Sequence, residues 1–389
     1  MKLDSIRSAG HWLSSSGIQN VSRQKKLRGG VSAWYELGKK IYPFIYSEIT
    51  GYAISTWVFL NRITPDPLWI KNAKAAADWL IDNAMHPNGG VKTRLYLVKH
   101  YVSPNYSFHT GRIYSFDTAM AGYGLIQLFQ ATGEDRFFKA ADSMLRFLIQ
   151  RMQKKDGTFY PYFDSALRRP GEDLEKWSDQ CGSFHAKLAL FFTDYFDVTG
   201  DRAVAALITK LLDATLKSQE KEGRFLTGRK DGSTHLHPHS YTLEGLVYSG
   251  IYFKREDYLR AALRGFLWMM KGVSSDGSVS SIYEKFKFSH HERSDIVAQT
   301  LRLGSMLYSI FPTRLRPLLP ALASIKKHLL LFQNGDAGRQ RGGFLYGAAT
   351  DGLMRDHLNA WATMFALQAL WMHEAFVEKK KPVCLESFV

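Results

Sequence analysis

Residues 115–124 read Ser115-Phe116-Asp117-Thr118-Ala119-Met120-Ala121-Gly122-Tyr123-Gly124. The leading serine offers a side-chain oxygen to the unpaired N–H groups of a helix start. Behind it the run is apolar or small on nearly every side, as in a helix enclosed by other helices. Thr132-Gly133 then reads as its C-cap, and Asp135-Arg136 opens a new helix.

Working outward, the same sign recurs. Ser47, Ser115, Ser183, Ser240, Ser294 and Asp356 each stand before a stretch rich in small residues, at steps of 54 to 68. In phase with them, a glycine turn precedes an apolar residue six times: Gly30-Val31, Gly90-Val91, Gly157-Thr158-Phe159, Gly223-Arg224-Phe225, Gly277-Ser278-Val279 and Gly343-Phe344. Ahead of the turns lie one-sided helical patterns such as Ala73, Ala76, Ala77 and Leu80, or Met144, Phe147 and Leu148. The period is therefore outer helix, glycine turn, loop, inner helix. A single hairpin leaves its apolar faces open, and closing six of them into a ring hides both ends, which an open solenoid does not. The expectation is one all-α domain, an (α/α)6 toroid over residues 1–376, followed by a charged tail over 377–389.

Apolar residues make up 45% of the 389, enough for a large core. Fifty-one Lys and Arg against 36 Asp and Glu give a net charge of +15, which favours an anionic partner; a solvated basic surface is the plain alternative. Nucleic acid is not the expected partner, because zinc-finger spacing, RNP-like aromatics and a dense basic arm are all missing. No apolar run approaches a membrane span. Two cysteines, Cys181 and Cys384, cannot build a disulfide framework, which points to the cytoplasm.

Parallel inner helices bring six N-termini, with their positive dipole ends, to one face. Glu48, Asp117, Asp179 and Asp295 sit at the starts of four of them, and two carboxyl groups across a glycosidic bond are what hydrolysis needs. His185, His239 and Tyr241 add acid–base groups suited instead to proton abstraction beside a uronate carboxylate. Around these, Tyr46, Tyr52, Tyr114, Trp177 and Trp361 supply platforms for sugar rings. Arg112, His237, His290, Arg293, Arg355 and His357 supply polar and cationic contacts. His237-Pro238-His239 and His290-His291 lack the helical His-Glu-x-x-His spacing or a cysteine pair, so neither a metal nor a cofactor is expected.

Segments 46–52 (Tyr-Ser-Glu-Ile-Thr-Gly-Tyr), 114–118 (Tyr-Ser-Phe-Asp-Thr), 183–187 (Ser-Phe-His-Ala-Lys) and 357–361 (His-Leu-Asn-Ala-Trp) resemble pieces of the six-hairpin toroid superfamily of sugar-active proteins. That group includes unsaturated glucuronyl hydrolases, N-acylglucosamine 2-epimerases, and the toroid domains of uronate lyases and glucuronyl C5-epimerases. The resemblance implies an enzyme acting on an acidic, uronate-containing oligo- or polysaccharide, with glycoside hydrolysis first. Lyase or epimerase chemistry on His and Tyr is the second reading. A non-catalytic glycan-binding or scaffold role in polysaccharide biosynthesis is the third.

Overall fold

In a computed structural model the described residues are 2–99, 101, 111–289, 291–349 and 351–382; His290, Cys384 and the tail beyond residue 382 lie outside them. The helices are α1 (Lys2–Ser15), α2 (Ser47–Ile63), α3 (Pro67–Trp79), α4 (Ser115–Thr132), α5 (Asp135–Phe147), α6 (Leu188–Thr199), α7 (Arg202–Lys217), α8 (Leu236–Tyr252), α9 (Glu256–Met269), α10 (Ser294–Ile310), the single turn α11 (Pro312–Leu315), α12 (Leu319–Leu331) and α13 (Ala360–Met372).

The inner ring runs α2, α4, α6, α8, α10, α13 and back to α2, each packed on the next. Outside it α3 lies on α2, α5 on α4, α7 on α6, α9 on α8 and α12 on α10, while α1 lies on α13 and so completes the sixth hairpin from the other end of the chain. The ring is closed, and the fold is the (α/α)6 toroid. Composition explains who goes where. Every residue of α13 except Trp371 is buried, whereas α5 buries one stripe, Phe137, Ala140, Ala141, Met144, Leu145 and Phe147. Small residues let the inner helices meet backbone to backbone: a Cβ on Gly51 of α2 would stand 2.5 Å from the Met120 carbonyl oxygen of α4.

The glycine turns are the seams between units. In each, the left-handed glycine seats on the next outer helix, Gly29 on Ala75 of α3 and so on round to Gly342 on Ser8 of α1. Gly342 has φ of 95°, and a Cβ there would lie 2.2 Å from the Ser8 carbonyl oxygen, so both its conformation and its contact exclude a side chain.

Short antiparallel strands crown the end where the inner helices begin. They are β1 (Trp34–Glu36), β2 (Phe44–Tyr46), β3 (Arg94–Tyr96), β4 (Arg112–Tyr114), β5 (Tyr162–Asp164), β6 (Arg169–Gly171), β7 (Thr234–His235), β8 (Ile282–Glu284), β9 (Lys287–Phe288), β10 (Phe344–Ala348) and β11 (Met354–Asn359). The sheets are β1-β11-β10, β2-β3, β4-β5-β6 and β7-β8-β9. A strand entering an inner helix pairs with the strand leaving the next glycine turn, as in Tyr46 opposite Arg94 and Tyr114 opposite Tyr162.

The expected helix starts need correction at two places. Ser47, Ser115 and Ser294 do open α2, α4 and α10, and Ser183 opens the tight turn Ser183–Lys187 ahead of α6. Ser240 instead lies one turn inside α8, and Asp356 lies in β11, where Asn359 is the cap, its side-chain oxygen accepting the Ala362 N–H at 2.9 Å. The opening serines are also not caps. Ser47 donates to the Lys92 carbonyl (2.5 Å), Ser115 to Tyr160 (2.6 Å) and Ser294 to Leu345 (2.5 Å), tying each inner helix to the neighbouring unit. No helix of the described residues is long and apolar enough to cross a membrane.

Candidate functional site

The inner-helix N-termini surround a cavity of about 360 Å³. Tyr46, Tyr114, His235 and Arg293, the extended residues immediately before α2, α4, α8 and α10, all line it. From the first helical turns come Glu48, Asp117, His237 and Trp361. The ring order fixes their relation. The edge between α2 and α4 stands opposite the edge between α8 and α10, and α6 stands opposite α13.

On the first edge, Glu48 of α2 and Asp117 of α4 approach one another beside the Tyr46 hydroxyl and Arg94. Burial, and then the neighbouring Glu48 charge, push Asp117 well above the carboxylate range; burial lifts Glu48 to about 7 against the pull of Tyr46, Lys187 and Arg94. The pair therefore holds a proton at neutral pH. Asp117 Oδ2 is buried without a hydrogen-bond partner among the described residues, an acceptor left for whatever enters.

The opposite edge carries His237 of α8 and Asp295 of α10. His237 Nδ1 lies 2.8 Å from the Gln299 amide oxygen and 3.3 Å from Asp295 Oδ2, two acceptors, so Nδ1 bears the hydrogen and Nε2 keeps its lone pair. Burial lowers His237 to about 4, with Asp295 opposing, and the ring is neutral at pH 7. Burial works against ionisation of Asp295 too, but Arg293, His237 and the Trp361 indole N–H hold it below the usual range. Trp361 donates to Asp295 Oδ2 at 2.8 Å and Arg293 Nε to Oδ1 at 3.1 Å.

The two remaining walls are aromatic. Trp177, ahead of α6, packs edge-on against Phe184 (5.2 Å) and near His237 (6.0 Å), and Trp361 of α13 faces it across the ring. Behind Tyr241, outside the lining, lies a fully buried lysine: Lys187 Nζ is 4.3 Å from the Tyr241 ring centre, 4.7 Å from Tyr52 and 2.8 Å from Glu244, whose other oxygen pairs with Arg302. Burial lowers Lys187 to about 8.

Of the residues expected at the site, Tyr46, Glu48, Tyr114, Asp117, Trp177, His237, Tyr241, Arg293 and Trp361 line the cavity. Asp295 stands directly behind His237, and Tyr52 lies outside the lining, against Lys187. Asp179 is one layer back, accepting the Tyr114 hydroxyl at 2.7 Å, with Arg112 3.5 Å away. Four expected residues stand elsewhere. His239 lies outside the lining because both ring nitrogens serve the hairpin: Nδ1 accepts the Phe225 N–H (3.3 Å) and Nε2 donates to the Gly265 carbonyl (3.2 Å). His185 is buried against Phe184, ring centres 4.1 Å apart, outside the lining, and Arg355 turns back to Asp351. His357 lies outside the lining, stacked on Trp34 at 4.7 Å, and it is Trp34 that packs edge-on to Trp361 (6.2 Å). Arg94, Lys176, His235 and Tyr346 line the cavity without having been expected. Arg94 and Tyr346 enter on the strands after glycine turns, whose pairing with the neighbouring unit no local pattern announces. Cys181, with its thiol pushed up to about 12 by burial, is no nucleophile. Among the described residues, no group of three His, Cys, Asp or Glu is placed to hold a metal ion.

The sequence matches no protein-family model and no curated protein. Its fold is that of several solved sugar enzymes. Cellobiose 2-epimerase from Bacillus thermoamylovorans superposes with a TM-score of 0.75 at 12% identity, over 96% of this chain and 98% of that one. A D-mannose isomerase gives 0.74 at 10%, over 95% and 97%. The unsaturated glucuronyl hydrolase of Bacillus sp. GL1, described as responsible for degradation of glycosaminoglycan, gives 0.69 at 13%, over 96% and 97%. At such identities the likeness establishes the (α/α)6 architecture that these sugar-active proteins share.

Proposed function

We propose that this chain is a carbohydrate-active enzyme that hydrolyses an acidic, uronate-containing oligo- or polysaccharide in the cytoplasm. One observation carries the reading: a proton-holding carboxyl pair, Glu48 and Asp117, faces an Asp295-backed neutral imidazole, His237, across an aromatic cavity. Hydrolysis needs a proton donor for the leaving oxygen and, on the other side of the sugar, a base for water. In this assignment the Glu48–Asp117 pair protonates the glycosidic oxygen and His237 Nε2 takes a proton from water, Asp295 stabilising the imidazolium that forms. Trp177 and Trp361 stack on sugar faces, and Arg94, Lys176 and Arg293 attract the substrate carboxylate. The free thiol of Cys181 is the support for the cytoplasm.

A second reading rests on His235 and His237, both lowered by burial to about 4 and so both neutral bases on one wall. Such a pair also suits proton abstraction at carbon, as in epimerisation or isomerisation, and cellobiose 2-epimerase and D-mannose isomerase share the fold. Incubation with uronate oligosaccharides in D2O separates the two. New reducing ends with no carbon-bound deuterium support hydrolysis; deuterium at carbon without new ends replaces it with epimerisation. Binding by calorimetry with no product of either kind rejects both in favour of a glycan-binding protein.

A further inference from the structure

All six glycine turns are closed by the same pair of backbone hydrogen bonds, seen after α3 as His86 N–H to Gly90 O and Gly89 N–H to His86 O, both near 2.9 Å. Between the paired positions four turns hold two residues: Pro87-Asn88, Lys155-Asp156, Lys221-Glu222 and Ser275-Asp276. The other two do not. After α1 the bonds join Asn20 to Gly29 and Gly30, enclosing residues 21–28; after α12 they join Asn334 to Gly342 and Gly343, enclosing 335–341. The two enlarged turns flank the place where the ring closes. Arg339 Nε donates to the Ser15 carbonyl at 2.8 Å, and Gln340 accepts from the Trp12 indole (2.9 Å) and donates to Tyr42 (3.1 Å), so the second loop lies over the end of α1 from which the first departs.

The inserted residues carry six cations, Arg23, Lys25, Lys26, Arg28, Arg339 and Arg341, all exposed, and one acid, Asp336. Lys25 pairs with Asp82 at 3.2 Å. In the short turns no such excess exists, since Lys155 and Lys221 each stand beside an acid. A local net charge of this size on exposed loops concentrates polyanions. Neither loop holds an aromatic residue, so the platform on which unpaired bases stack is lacking. From Gln340 the contacts lead through Tyr42 to Tyr35 (4.9 Å) on β1, which pairs with β11 just ahead of α13, so the strip stands at the end of the ring where the cavity lies.

We propose that loops 21–28 and 335–341 form one basic strip that binds an acidic polysaccharide chain outside the cavity and feeds its end to the mouth. This rests on the uronate reading of the cavity and extends it from short oligosaccharides to polymer.

The test compares wild type with the threefold variant Arg23→Gln/Lys26→Gln/Arg341→Gln, which spares Lys25, Arg28 and Arg339 because each makes a contact of its own, to Asp82, Ser22 and Ser15. Binding to polygalacturonate is followed by affinity electrophoresis over a salt series, and turnover is measured on polygalacturonate and on its trimer. Wild type binds the polymer with a steep salt dependence; the variant binds about tenfold more weakly at about 50 mM salt, with a shallower slope. Its KM rises about tenfold on polymer and stays unchanged on trimer. Equal retention of both proteins overturns the strip, as does retention on single-stranded DNA of matched charge equal to that on polygalacturonate. Thermal melts confirm that the variant is folded, and the milder pair Arg23→Gln/Lys26→Gln gives an intermediate loss. If neither protein turns over any uronate, the hydrolase reading fails while the binding comparison still decides the strip.

Discussion

Trp361 of α13 and Asp295 of α10 are joined by a buried indole-to-carboxylate hydrogen bond of 2.8 Å, so one side chain both walls the cavity and fixes the group behind His237. Asp295 is fully buried and depends on that donor together with Arg293. Trp361→Phe keeps the ring and removes the N–H. Loss of one donor to a buried carboxylate costs about 1–3 kcal/mol, and Asp295, left with Arg293 as its charged partner, is held less firmly against His237. The expected result is a lower Tm with kcat reduced at least tenfold and KM changed little; a normal kcat would detach Asp295 from the reaction.

The Glu48–Asp117 pair acts as an acid only while it keeps its proton. With Glu48 raised by burial to about 7 and Asp117 pushed well above the carboxylate range by burial and the Glu48 charge, activity should fall on the alkaline side of about pH 7. Asp117→Asn removes the donor, and a general acid is worth about 10²–10⁴ in rate. Stability follows the same direction with pH. A raised carboxyl favours the folded state below its unfolded value of 4.5, and that contribution is lost as pH rises through 7. Asp117→Asn, which cannot ionise beside Glu48, should therefore gain Tm relative to wild type at pH 8 and less at pH 5. A variant inactive but no more stable at pH 8 would mean that the two carboxyls do not repel.

Four buried histidines work in the opposite sense. Burial lowers His185 and His357 to about 3 and His237 and His239 to about 4, against an unfolded value of 6.5. Between pH 6.5 and 4 the unfolded chain binds more protons, so stability is lost as pH falls, by about 1.4 kcal/mol per pH unit for each histidine. His239→Phe should flatten that slope by one proton. It should also cost about 1–3 kcal/mol at pH 7.5 by stranding the Phe225 N–H and the Gly265 carbonyl. Urea titrations from pH 7.5 to 5 measure both effects, and kcat should not change.

His239 also shows how far the sequence could be read. At four of the six turns the N–H two residues past the left-handed glycine bonds to a side chain of the inner helix, and Thr50, Thr118 and Thr363 accept it from Val31, Val91 and Phe344. His239 does the same for Phe225. Placing the helix start at Ser240 instead of Leu236 put the repeat four residues out of phase and hid that equivalence. Closure was legible because six glycines in phase mark six like units, and Glu48 and Asp117 were legible as carboxylates at the starts of inner helices, whose N-termini surround the mouth. Arg94, Lys176 and Tyr346 were not. They ride on strands and loops whose pairing depends on the neighbouring unit, which no local pattern specifies.

Lys187, Glu244 and Arg302 bring two cations and one carboxylate into the middle of the inner ring, with Gln368 accepting a further bond from Arg302. Removing a partner from a buried ion pair costs about 3–5 kcal/mol, because the other charge is left in low dielectric. The imbalance makes the three positions unequal. Glu244→Gln leaves two buried cations and should unfold or nearly unfold the chain, whereas Lys187→Met leaves the Arg302–Glu244 pair intact and fills the cage of Tyr52, Tyr241 and Phe365 with a pliant apolar chain. Because burial lowers Lys187 to about 8 from 10.5, wild type should gain stability on this group's account as pH rises from 8 to 10. Any deficit of Lys187→Met relative to wild type should widen over that interval. The same lysine pulls Glu48 downward, so its loss should carry the alkaline limb of activity to higher pH. Chemical denaturation at pH 7.5 and 9.5, with a pH–rate profile of Lys187→Met, checks all three; an unmoved limb would show that the buried cation does not reach the carboxyl pair.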